Sequence, residues 1–491
     1  MKQSNSLLFW ISLTLFIILF YNQFLGINLL IFSIFLILFT IVKKGKEILS
    51  FEKITFIIAI LISGFSSAYF ADWYSKLINI LSLLVFPFII NDPEKKLIFS
   101  WVKSLFNYLI FPIKIIENKI FGNTFIIKEF WSKLFKICIL PMCVIGLFIS
   151  LYSNINQDFN QLIETIKFPE INFSFIGLFL LGFFLLTGFW FYKSPLELEI
   201  YFGNYVKNDF ENYEINEKQA SNRSINFNSG ILLFSILNFL LFTLLCFEMQ
   251  DIFIGFSQLD EIQLNTKLHS GIDSIKISIV FAIILIMIYF NKSLSVFEKN
   301  KKLKIIAFVW IFLNVFLCFI SFYKNIIFID YFGLTLKRLG VFGFLGLSLI
   351  GLIFTFLKIG KMKTNYFLIR NMLWVFFIFS VIITPINWSN FITKYEINTF
   401  KNGKGSLEMY YLINLPDYNS VTLNEFQKEI PKLTNEQKNR IISFDRFEYN
   451  ESGSSNEYQE TITEKYNRVK KEKNKREHFF SWALWYRWNN K

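Results

Sequence analysis

His269, in the stretch Leu-His-Ser-Gly-Ile-Asp over residues 268–273, is one of only two histidines in this chain. An unperturbed imidazole titrates near pH ~6.5, so it can take up and return a proton at neutrality. Asp330, Tyr331, Thr335, Lys337 and Arg338 follow in the stretch Asp-Tyr-Phe-Gly-Leu-Thr-Leu-Lys-Arg. The fork of Arg338 suits a phosphate or carboxylate. Together with Asn387, these residues define a candidate polar site: His269, Asp273, Asp330, Tyr331, Arg338 and Asn387. On a phosphate-containing, lipid-linked substrate, His269 would be the base and Arg338 the anion clamp. The same residues also admit a plainer role. Ser270 and Asp273 have the spacing of a capping box, with Asp273 at the positive end of the helix that follows and Lys276 one turn further on.

The elements that must position these residues lie in a membrane. The chain has 491 residues, 54% of them hydrophobic and 20% aromatic, with 18% charged and a mean hydropathy of +0.44. Its apolar residues come in blocks longer than a soluble strand needs, such as Phe-Ile-Gly-Leu-Phe-Leu-Leu-Gly-Phe-Phe from residue 175. The blocks predict an all-α polytopic transmembrane bundle of about eleven spans, at 7–21, 25–42, 54–68, 75–90, 134–152, 171–191, 229–247, 272–290, 303–322, 338–357 and 367–385. The first block lacks the small-residue cleavage site of a removable signal.

Loops 43–53, 91–133, 192–228, 291–302 and 358–366 carry about 22 lysines and arginines, against about four in the intervening loops. The basic side is expected to be cytoplasmic, which puts the N-terminus inside and the residues after 385 outside. The net charge of +13 then has its explanation in anionic lipid at the inner leaflet. The basic residues are scattered and accompany no recognition motif, so nucleic-acid binding is not expected.

The expected organisation is N-terminal helices over 1–90, a cytoplasmic loop over 91–133, a main bundle over 134–385 and an extracytoplasmic region over 386–491. Within the loop, Ser100, Lys103, Ser104 and Asn107 recur at helical spacing opposite Trp101, Leu105, Tyr108 and Leu109, which predicts an interfacial amphipathic helix ended by Pro112. Cys138, Cys143, Cys246 and Cys318 form no Cys-x-x-Cys pair and are expected to be small buried hydrophobes without disulfides. No common nucleotide, zinc or nucleophile-elbow motif occurs, and neither a metal nor a cofactor is expected.

After residue 386 the chain becomes polar with spaced apolar residues, which predicts a small helical appendage. Thr422 followed by Glu425 is expected to cap a helix containing Phe426, and Leu-Thr-Asn-Glu-Gln from 433 to open another. Residues 464–480 read as a charged helix with a solvated face, with His478 at its end. Trp482, Trp485, Trp488 and Arg487 then stand close together, fit for docking on a partner or on the membrane surface, or for anchoring inside the chain.

Three stretches carry a resemblance: Leu268–Phe290, Tyr331–Lys358 and Asn387–Asn398. They resemble the shared core of an uncharacterised family of bacterial multi-pass inner-membrane proteins, catalogued as a domain of unknown function, over roughly residues 230–410. The family's histidine–glycine pair falls on His269 and Gly271, and its Tyr-Gly-Leu-Thr string with a following arginine on Tyr331, Gly333, Leu334, Thr335 and Arg338. Its asparagine falls on Asn387. Ser270 stands where the family has an acid, and Phe332 interrupts the tyrosine–glycine pair. The resemblance implies an inner-membrane location and no particular activity.

The leading expectation is an accessory, scaffold or sensory subunit of a bacterial envelope complex, in contact with membrane lipids and docking an envelope protein. The alternatives are a transporter of a small or lipid-like solute and an outer-leaflet membrane enzyme.

Overall fold

The computed structural model describes residues 2–45, 50–91, 108, 173–191, 208, 217–254, 275, 277–290, 301–442 and 461–489. The chain divides into two compact units, one of residues 1–64 and 76–199, the other of residues 65–75 and 200–491. His269, Asp273, the expected span 134–152, most of loop 91–133, Cys138 and Cys143 lie outside the described residues.

The first unit is built from α1 (Lys2–Phe20), α2 (Ile27–Lys44), α4 (Trp73–Asn91) and α5 (Phe173–Trp190), with the first part of α3 (Phe51–Phe70). Buried asparagines fasten these helices. Asn28 accepts from the backbone N–H groups of Gly26 and Leu29 through Oδ1, and donates to the carbonyls of Leu19 and Phe24 through Nδ2, which closes the α1–α2 turn. Asn79 of α4 donates to the Ile60 carbonyl at 2.8 Å and accepts from Ser33 Oγ at 3.0 Å. In hydrocarbon each such bond counts, because no water competes to satisfy the group. The small residues Ser63 and Gly64 let α4 approach α3; a Cβ on Gly64 would sit 3.1 Å from Asn79 Nδ2.

The second unit holds α6 (Glu217–Ile254), α7 (Ile277–Tyr289), α8 (Lys301–Phe332), α9 (Leu336–Gly360) and α10 (Asn365–Ile383). Phe234, Ile279, Ile286, Leu303, Trp310, Leu345 and Leu352 share its core. Its outward faces remain strongly apolar: Phe239 is 70% exposed, Phe312 68% and Phe319 58%. Exposed rings of that size on apolar helices are a lipid-facing surface.

Among the described residues seven helices are long and apolar enough to cross a membrane: α2, α3, α4, residues 227–250 of α6, α8, α9 and α10. Three shorter apolar helices, Asn5–Phe20, Ser174–Trp190 and Ile277–Tyr289, coincide with three further expected spans. The boundary of α8 differs from expectation. Residues 323–337 read as a loop, yet α8 runs to Phe332, and the turn to α9 is only Gly333–Thr335. The reason is that Lys324 and Asn325, taken as loop polarity, are buried in the bundle. Cys318 is buried and free as expected, but Cys246 is exposed.

The C-terminal part of the second unit forms a cap: α11 (Trp388–Lys401), β1 (Leu407–Glu408), α12 (Met409–Asn414), α13 (Ser420–Glu429), α14 (Asn435–Asn439), β2 (Ile441–Ile442), α15 (Ile462–Lys475) and α16 (Leu484–Trp488). β1 and β2 pair in parallel, Leu407 opposite Ile441. Ile329 of α8 and Leu334 of the turn enter the cap core beside Ile392, Phe400, Leu412, Leu423 and Phe426. The cap therefore grows directly out of the α8–α9 hairpin.

One expectation for the cap needs correction, and two gain detail. Thr422 does not cap α13, whose N-cap is Asn419; its hydroxyl donates to Asn390 Oδ1 at 2.6 Å and ties α13 to α11 instead. The charged helix α15 keeps a solvated face, while Ile462, Lys465 and Val469 are buried on its other side. Lys465 is fully buried, with Nζ donating to the carbonyls of Ile413 and Leu415, so the ammonium closes the end of α12. Of the roles open to the C-terminal rings, Trp485 takes the one inside the chain, buried with Tyr486 against Phe70 and Ala71.

Candidate functional site

The α8–α9 turn decides what Arg338 can do. Gly333 has φ +78, in the left-handed region that ends helices, and a Cβ there would meet Glu396 Oε2 at 2.6 Å. Thr335 caps α9 by accepting from Arg338 N at 3.3 Å. Arg338 then turns back across the hairpin, where Nη1 donates to the carbonyls of Phe332 and Gly333 at the end of α8. Its guanidinium lies 4.1 Å from the centre of the Phe328 ring.

Three cap residues complete this knot. Glu396 of α11 accepts from the Leu334 backbone N–H, and the hydroxyl oxygen of Tyr411 in α12 accepts from Leu336 N at 2.7 Å. Glu408 and Glu396 act on Arg338 by their charge. Burial pushes the Glu396 carboxyl above its ordinary range, opposed by the Leu334 N–H and by Arg338. Burial likewise raises the Tyr411 phenol. The polar groups at this end thus satisfy the backbone of a tight turn, which is otherwise left with unpaired carbonyls and N–H groups.

Of the other candidates, His269 and Asp273 lie outside the described residues, and Asp330 and Tyr331 directly precede Phe332, whose carbonyl Arg338 binds. Asp330 and Tyr331 are exposed in the last turn of α8. Asn387 is the N-cap of α11: Oδ1 accepts from Asn390 N at 3.0 Å and Nδ2 donates to the Tyr418 carbonyl at 3.3 Å. Trp488 is 57% exposed, whereas Arg487 donates to the Arg476 carbonyl and lies 4.8 Å over the Trp482 ring. His478 is exposed. No group of three or more potential metal-ligating side chains gathers among the described residues.

A second polar knot seats the C-terminal segment. Asp417 receives both Arg468 nitrogens, at 2.9 and 3.1 Å, and the Tyr486 hydroxyl at 3.1 Å. Tyr418 donates to the Phe70 carbonyl at 3.0 Å. Burial raises both phenols. Sequence reasoning missed Glu396, Glu408 and Tyr411, which stand some sixty or more positions from Arg338 and carry no motif. It also missed the ion pair between Lys324 of α8 and Glu248 of α6. Lys324 did leave a signal, as a lone lysine continuing an apolar run.

Neither a curated protein nor a solved structure matches the chain. A family match covers residues 7–425, wider than the three resembling stretches and ending within α13. By that match, over most of its length, the chain belongs to the multi-span membrane family described as Domain of unknown function (DUF4153).

Proposed function

We propose that the chain is a scaffold or accessory subunit of an envelope complex in the bacterial inner membrane, crossing it about eleven times with the N-terminus inside and the cap outside. The distribution of lysines and arginines among the loops supports this orientation. The observation that carries the reading is the way the cap is fastened. Ile329 and Leu334 enter its core, and Glu396 and Tyr411 bind the turn backbone. A cap seated this way presents a fixed surface, which reduces the ordering cost of docking. Tyr410, Phe479 and Trp488 remain exposed on it, each close to half or more. Aromatic rings of this kind are the usual anchors of protein interfaces.

The test is the size of the particle extracted from native membranes in mild detergent. The chain should elute in a complex well above its own 58.4 kDa. Trp488→Ser should release the partner while leaving the cap folded. Removing the whole C-terminal segment is the wrong experiment, because Trp485 and Tyr486 belong to an intrachain core. A wild-type chain that elutes alone overturns the proposal.

A further inference from the structure

The bundle of the second unit contains polar groups that the cap does not use. Trp310, Asn314, Cys318, Ser321, Lys324 and Asn325 recur along α8 at spacings that share one face, and all are buried. α6 meets this face. Asn238 Nδ2 donates to the Ile306 carbonyl at 3.0 Å, the Phe234 ring lies 6.5 Å from that of Trp310, and Glu248 pairs with Lys324.

The hydrogen bonds that are made show which are missing. Asn314 Nδ2 donates to the Trp310 carbonyl at 2.8 Å, leaving its Oδ1 over. Asn238 Oδ1, Trp310 Nε1 and Asn314 Oδ1 are all buried with no partner among the described residues. Positions 306, 310 and 314 are successive turns of one face, so the three atoms belong to one seam. An unpaired polar group is costly in a bilayer, where bulk water cannot reach it. One donor and two acceptors are the complement of a small neutral molecule with one acceptor and two donors, of which water is the smallest.

The ion pair stands at one end of this seam. Lys324 follows the apolar run 305–322 of α8 and Glu248 follows the run 231–247 of α6, so the pair sits where both runs end, on the side of the cap. We propose that the α6–α8 seam is a binding site for a small uncharged hydrogen-bonding molecule, and that the Glu248–Lys324 pair is its gate on the cap side. The site goes beyond the scaffold role and does not depend on it. An ion pair suits a gate because parting the charges exposes two groups that draw water in, whereas parted apolar groups exclude it.

Cys318 is a native reporter, free and buried on the same face between Asn314 and Ser321. The full-length protein in lipid nanodiscs is treated with 2-aminoethyl methanethiosulfonate. The Cys318 thiolate attacks the thiosulfonate, forming a mixed disulfide and releasing methanesulfinate, and thiolate forms only where water reaches. Peptide mass spectrometry reads the modification.

Labelling at Cys318 should be slow in the wild type and rise at least about tenfold in Glu248→Gln and in Lys324→Met, each of which opens the gate. The double exchange Glu248→Lys with Lys324→Glu should restore slow labelling. Adding Asn314→Leu to Glu248→Gln should suppress it again, because the seam then loses an acceptor. If the single variants label no faster than the wild type, the pair is a static fastener and the gate is wrong. If the double exchange labels as fast as the single variants, the increase is loosened packing and the gate is again wrong. If Asn314→Leu changes nothing, the seam is not a hydrogen-bonding site.

Discussion

α9 is held at both ends by a side-chain cation, and the two ends are built differently. At the cap end Arg338 serves the carbonyls of Phe332, the last residue of α8, and of Gly333, a glycine in the left-handed region, beside two carboxylates from the cap. At the other end Lys358 is 1% exposed, and its ammonium donates to the single carbonyl of Phe290 after α7, at 3.1 Å. Asn365 assists by donating to the Met287 carbonyl at 3.0 Å. The turn there uses Met362 at φ 50 rather than glycine. A guanidinium has donors enough to serve two carbonyls at once while its charge faces the cap carboxylates, whereas an ammonium suffices to neutralise one helix terminus. The chemistry of each end follows from what that end must carry.

The comparison can be broken by thermal unfolding in detergent. Arg338→Met should cost the most, about 3 kcal/mol, because it strands two carbonyls and leaves Glu396 without its cation. Gly333→Ala should follow at about 2 kcal/mol, since alanine is strained at that φ and its Cβ strikes Glu396. Lys358→Met should cost only about 1 kcal/mol, one lost bond offset by removal of a buried charge. If Lys358→Met is as damaging as Arg338→Met, the two ends are equivalent and the contrast drawn between them fails.

The remaining two effects are smaller and sharpen the contrast. Because burial raises the Glu396 carboxyl, the folded cap takes up this proton before the unfolded chain does as the pH falls. Its contribution to stability is complete below the ordinary carboxylate value and is lost as the pH rises through the raised one. Glu396→Gln should therefore flatten the stability profile in the weakly acidic range, while Lys358→Met leaves that profile unchanged. Met362→Gly should stabilise by about 0.5 kcal/mol, because glycine relieves the left-handed strain at a cost in backbone entropy. A loss on that substitution would mean that the Met362 side chain contributes packing at the turn.

Of the eleven expected spans, seven match helices long and apolar enough to cross a membrane among the described residues, because apolar runs report hydrocarbon directly, and Arg338 stood out because a charge beside such a run is conspicuous. The limits have physical causes. Lys324 and Asn325 looked like loop residues because polarity along the chain does not reveal a partner such as Glu248 on another helix. Thr422 had the right spacing for a cap, yet Asn390 offered it a better acceptor across the fold. Trp485 and Trp488 belong to one aromatic cluster in sequence, but only the packing of Phe70 and Ala71 separates the buried ring from the exposed one.

α8 contributes Leu303 to the bundle core and Ile329 to the cap core, and its 32 residues contain neither proline nor glycine. At ~1.5 Å per residue it measures about 48 Å, against a hydrocarbon thickness of about 30 Å. A helix without a kink site behaves as a single strut. The height at which the cap stands is therefore tied to bilayer thickness: in thicker lipid the strut stands more upright and the cap sinks toward the head groups, and in thinner lipid it tilts or the cap lifts clear.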